Sequence, residues 1–222
     1  MLSRRIAMVG CALTWKDAPF DDPDWEIWAH CSCQPRFATL PTPPRVTRWF
    51  DLHAVPVWRQ GKDWYRPGPD DPPTYVGWLG ARREPVVMQA AYSIVPTSLA
   101  YPIRAVAEAF GIVRPEWGLT PDDRKWWVHL KNRGEFSSTF SYMLALALYE
   151  GVDEIALYGI DFVGADVLKR ERVYQRPGAK YWVGVARGMG IPVTVARGSW
   201  FEQQDALYGY VVPPLARELV EA

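Results

Sequence analysis

The chain has 222 residues, about half of them apolar, and its 25 basic side chains are matched by 25 acidic ones. That length suits one domain carrying insertions, and the charge balance argues against a globally cationic nucleic-acid binder while leaving a local basic patch open. No apolar run approaches a membrane span or a signal-peptide core, and the three cysteines, Cys11, Cys31 and Cys33, point to reduced thiols and a cytoplasmic location.

Residues 6–10 read as a buried strand ending in Gly10. An acidic turn at 21–24 precedes a second strand at 26–30, and 31–45 reads as a Pro-rich loop. Cys31 and Cys33 form C-x-C without a second pair, so no metal site is expected there. The segment RWFDLH makes 48–53 a third strand with a polar end. Residues 55–84 read as an insertion with one short helix at 75–79. A fourth strand is expected at 85–89. Pro102 opens a helix over 101–110 that Gly111 stops. Residues 112–133 are irregular and carry a basic and aromatic cluster at 124–129.

The clearest segment follows. Phe140, Met143, Leu144, Ala147 and Leu148 recur at helical spacing, one of Ser137, Ser138 and Thr139 supplies the N-cap, and Gly151 ends the helix. A buried strand at 154–159 comes next and leads to Asp161. A helix at 179–190, a strand at 192–196 and two short helices at 199–207 and 214–221 complete the chain. The 12 tryptophans read mainly as anchors holding long loops on the core, with some free to line a cleft.

Short apolar strands alternating with helices predict an α/β domain over 1–222, a Rossmann-like, mostly parallel sheet with helices on both faces. In such sheets ligands bind beyond the carboxyl ends of the strands. That rule selects Gly10, Cys11, His30, Cys31, Asp51, His53 and Asp161, together with Ser137, Ser138 and Thr139. The Ser-Ser-Thr run either caps its helix or adds donors to a helix N-terminus that attracts phosphate. Asp161 is placed to hold a ribose hydroxyl, a metal or a loop backbone. Asp51 and His53, two apart on a strand, share a face as an orienting acid and a base, or as a solvated strand end. Arg170, Arg172, Tyr174 and Arg176 alternate; in an extended lid they would share one side and clamp phosphate. No G-x-G-x-x-G follows the first strand, so NAD is not expected.

The stretch 136–162, with Ser137-Ser138-Thr139 opening a helix and Gly159-Ile160-Asp161-Phe162 closing a strand, resembles the bacterial sialyltransferases of the lipo-oligosaccharide type. It is also similar to the wider Rossmann-like group related to 6-hydroxymethylpterin pyrophosphokinase. The resemblance implies a nucleotide-sugar site in which Gly10, Ser138 and the residue after His30 contact the nucleotide. The pattern as a whole resembles uncharacterised bacteriophage proteins, which would place it in a host cytoplasm. Val163 stands where the sialyltransferases carry Tyr, and the lid after it lacks their His, leaving His53 or His129 as the base. The expected activity is sugar transfer from a nucleotide donor to a small or nucleic-acid acceptor. The alternatives are a non-catalytic nucleotide-binding protein and a phosphotransferase using Mg²⁺ on Asp161 and Asp51. A homodimer is the ordinary expectation.

Overall fold

Period-two burial explains the sheet. In a computed structural model that describes residues 3–53, 75–113, 134–162 and 169–202, with side chains from 175 onward in the last span, strand β1 (Arg5–Val9) sends Ile6 and Met8 to one face and Ala7 and Val9 to the other. All four are fully buried, as a strand covered on both faces requires. The same alternation runs through β2 (Trp25–His30), β3 (Arg48–Asp51) and β4 (Val86–Met88). With β5 (Ser98–Ala100), β6 (Glu154–Tyr158) and β7 (Val193–Val195), they form one sheet in the order β5-β4-β3-β2-β1-β6-β7. Every pairing is parallel, so the Rossmann-like α/β class is established by the topology itself.

The chain winds outward from β1 to β5 and then returns to place β6 on the other side of β1. The β1/β6 boundary is therefore the switch point of the sheet. Reversing direction also changes the covered face. The 3₁₀ turns Leu13–Asp17 and Cys31–Cys33, helix α1 (Gln34–Phe37) and helix α2 (Tyr75–Gly80) pack on one side. Helices α3 (Ile103–Ala109), α4 (Thr139–Tyr149) and α5 (Lys169–Gly188) pack on the other.

Helix α4 departs from the one-faced expectation. Met143 to Leu148 are all buried, because α3 and α5 cover the side turned away from the sheet; a helix apolar all round belongs inside. Helix α5 begins ten residues before the expected 179, running through Pro177. The expected extended lid is thus corrected: residues two apart on a helix do not share a face. Residues 31–37, expected as loop, form a 3₁₀ turn and a helical turn. Strand β5 was not anticipated, and residues 199–202 are not helical. The expected helix 214–221 and the cluster 124–129 lie outside the described residues. Among those described, no helix is long and apolar enough to cross a membrane.

Candidate functional site

The carboxyl ends of β3, β2, β1 and β6 lie side by side and bring together most of the residues selected from the sequence. Asp51, the last residue of β3, is fully buried. Its Oδ1 accepts the His53 Nδ1–H at 2.6 Å and the His53 backbone N–H at 3.1 Å. Its Oδ2 accepts the hydroxyl of Tyr75 from α2. The Tyr75 hydroxyl is pushed well above its ordinary range, first by burial and then by Cys31 and Asp51 beside it. It is therefore a neutral donor at any physiological pH.

His30, at the end of β2, is held the opposite way. The Ser32 backbone N–H donates to its Nδ1 at 3.0 Å, and the Ser32 hydroxyl meets the same atom. A backbone amide can only donate, so the neutral His30 ring carries its proton on Nε2. His53 gives its Nδ1 proton to a carboxylate, so its basic atom is Nε2. The two rings sit 6.0 Å apart, centre to centre. One ring thus presents a donor and its neighbour an acceptor.

Phe140, in the first turn of α4, lies against the His30 ring at 5.6 Å, which brings the helix N-terminus to the same edge. Ser138 is the N-cap: it is buried and its Oγ accepts the Ser141 N–H at 3.2 Å. Ser137 donates to the Gln175 carbonyl of α5 at 3.3 Å. Both hydroxyls are therefore structural, and what the helix offers an anion is the amides of Thr139 and Phe140, which have no partner within the helix. Thr139 is half-buried.

Gly10 was expected to admit a ligand's close approach. The approach it permits is by the chain itself: a Cβ there would lie 2.9 Å from the Phe140 ring and collide with the Gly159 carbonyl. Gly159, at φ 64°, faces the reciprocal collision with the Gly10 carbonyl. The pair lets β1 and β6 close at the switch point, where Ala12 N–H bonds Gly159 O at 2.9 Å. Cys11 is exposed, whereas Cys31 is wholly buried. The Cys31 side chain is therefore internal.

Asp161 holds a loop. Its Oδ1 accepts the Ser199 hydroxyl at 2.5 Å and the Trp200 N–H at 3.2 Å. Arg176 grips the same loop from α5, donating to the Trp200 carbonyl at 2.9 Å and the Phe201 carbonyl at 2.8 Å. Arg176 is thus a fastening of this loop rather than part of a phosphate clamp. The side chains of Arg172 and Tyr174 lie outside the described residues, as does His129. Phe162 takes φ 51°, the one positive value among the described non-glycine residues, a conformation that costs roughly 1–2 kcal/mol. Its ring packs against Phe140 at 5.8 Å and Phe201 at 6.0 Å.

A Mg²⁺ ion shared by Asp51 and Asp161 does not suit this arrangement. β3, which ends in Asp51, and β6, which Asp161 follows by three residues, are separated by β2 and β1, three spacings or about 14 Å between strands, a poor arrangement for two ligands to one small ion. Among the described residues no three His, Cys, Asp or Glu side chains form a metal-holding group.

Tyr75 and Phe162 are the members of the site that sequence reasoning missed. Tyr75 lies 24 residues from the carboxylate it serves, and no local pattern signals that link. Phe162 directly follows Asp161, but its backbone conformation has no signature in a phenylalanine.

No protein-family model matches the chain, and no curated protein matches it in sequence. Solved structures do show likeness. One is the sialyltransferase CstII from Campylobacter jejuni in complex with the substrate analogue cytidine-5'-monophosphate, at 9% identity and a TM-score of 0.46, covering 99% of this chain and 100% of that one. Another is sialyltransferase CST-II in complex with a trisaccharide acceptor and CMP, at 11% identity and a TM-score of 0.43, covering 87% and 81%.

Proposed function

We propose that this protein binds a nucleotide sugar at the carboxyl edge of its sheet and transfers the sugar to a hydroxyl acceptor. The observation that carries the reading is the buried Asp51 carboxylate on His53 Nδ1, which leaves Nε2 as the basic atom beside a helix N-terminus. In the reaction, the bond between the anomeric carbon and the donor phosphate breaks and its electron pair leaves with the phosphate. The acceptor oxygen forms the new bond, and its proton passes to His53 Nε2. His30 Nε2–H and the first amides of α4 supply donors for the charge gathering on the leaving phosphate.

The test begins with thermal shift against CMP-, UDP-, GDP- and dTDP-sugars, ATP and NAD. A ligand present at 100 times its Kd adds about 2.7 kcal/mol. A hit is followed by mass spectrometry of the ligand, with and without glycoside and oligonucleotide acceptors. Turnover that survives in His53→Ala at the wild-type rate excludes His53 as base, and no shift with any nucleotide removes the reading.

A second reading is favoured by the absence of histidine from residues 163–178, where the sialyltransferases that the chain resembles carry theirs. It is a nucleotide-binding protein without turnover, and recovery of the bound ligand intact after long incubation would distinguish it.

A further inference from the structure

His53 works only if its ring is held, and Asp51 holds it only if the carboxylate cannot turn. Asp51 Oδ1 is occupied twice by His53. The other oxygen is fully buried with the rest of the side chain and takes the Tyr75 hydroxyl. A buried carboxylate oxygen deprived of its donor would turn toward another donor or take up a proton, and either event loosens the imidazole. The Tyr75 ring is itself fixed. It stacks on Trp78 at 6.0 Å, and Trp78 packs edge-on against Trp49 of β3 at 5.2 Å. The buried Cys31 lies beside the same hydroxyl. Elements β3 and α2 thus meet at one carboxylate, which accepts from Tyr75 on one oxygen and from His53 on the other.

We propose that Tyr75 is the positioning residue of this site: its hydroxyl fixes Asp51 and, through it, the orientation and tautomer of His53. The proposal rests on the reading of His53 as base but concerns a property that needs no substrate. Among the described residues, the groups facing His53 include Asp51 and, through it, Tyr75 from α2, and His30 from β2.

The test is ring-nitrogen NMR of His53 in the full chain, wild type against Tyr75→Phe, which keeps the stacked ring and removes only the hydroxyl. The expected wild-type ring is protonated on Nδ1. In Tyr75→Phe the Asp51 carboxylate loses the Tyr75 hydroxyl and can turn, its hold on the imidazole loosens, and a fraction of the Nε2–H tautomer appears. If Tyr75→Phe does not fold, 3-fluorotyrosine at position 75 preserves the shape and strengthens the donor, and the His53 Nδ1–H signal moves in response. A folded variant whose His53 tautomer and Nδ1–H signal match the wild type overturns the proposal. Where a nucleotide sugar is turned over, Tyr75→Phe lowers kcat about tenfold with KM held. The NMR response without any turnover leaves the positioning role standing and removes the transferase reading. Turnover with kcat and His53 both unmoved in Tyr75→Phe does the reverse.

Discussion

The two ends of the strands treat polar groups differently. At the amino ends, Arg4 bonds Glu26 at 2.7 Å and Glu150 at 2.8 Å, and Arg48 bonds Glu150 at 2.7 Å. Three of them surround the Trp28 indole, which donates to Glu26 at 3.0 Å and lies under the Arg48 guanidinium at 4.5 Å and the Arg4 guanidinium at 6.0 Å. Charges of opposite sign neutralise one another there, and Glu150, unfavourably placed at the C-terminus of α4, is compensated by two arginines. At the carboxyl end of β3 the Asp51 carboxylate is paired with an imidazole and a phenol, and the set ends outward on the other imidazole nitrogen. A run of charges that pair with one another secures packing; a set that ends on a titratable atom is the arrangement that can exchange a proton with something else.

That contrast can be broken. The largest effect is expected for His53→Ala, which should cost about 10²–10⁴ in turnover; an equal loss in an amino-end variant would erase the distinction. Gly10→Ala should lose about 2–4 kcal/mol of stability, read from the urea midpoint, since its Cβ meets backbone that cannot yield. Glu150→Ala takes one carboxylate partner from each of two arginines, though Arg4 keeps Glu26, and should lose about 1–2 kcal/mol without altering turnover of any substrate found. Ser138→Ala removes the α4 cap and should lose about 1 kcal/mol; ligand affinity maintained at saturating stability would support the amides rather than the hydroxyl as the anion site.

The smallest effect concerns pH. Burial opposes the Glu26 charge, but hydrogen bonds from Arg4 and the Trp28 indole outweigh it and hold the carboxyl below its ordinary range. A carboxyl depressed in the folded state contributes stability above its unfolded value, about 4.3, and that contribution is lost as pH falls through the folded value. Glu26→Gln should therefore flatten the acid limb of stability below about pH 4.5, followed by urea midpoints across that range. His53→Ala should not flatten it.

The amino-acid sequence by itself determined the strands β1, β2, β3, β4 and β6, the α4 cap region and the parallel class. Each of those signals is local: alternating or continuous apolar runs, a hydroxyl before a helical period, a glycine after it. It singled out Asp51 and His53 together, but the strand expected over 48–53 ends at Asp51, and the two meet because the chain bends there and the His53 N–H turns back onto the Asp51 carboxylate. What had no local signal escaped. Strand β5 is three residues at the sheet edge with only Ser98 buried, so it has no apolar pattern to read. The first half of α5 is basic and contains Pro177, which argues for a break in isolation. Only the tertiary structure decided that the hydroxyls of Ser137 and Ser138 are spent on packing and capping, that Cys31 is internal, and that Asp51 and Asp161 are poorly placed to share one ion. It alone brought Tyr75 under Asp51, because that contact is made by the path of the chain between β3 and β4, and a buried carboxylate takes its donor from whatever the fold sets beside it.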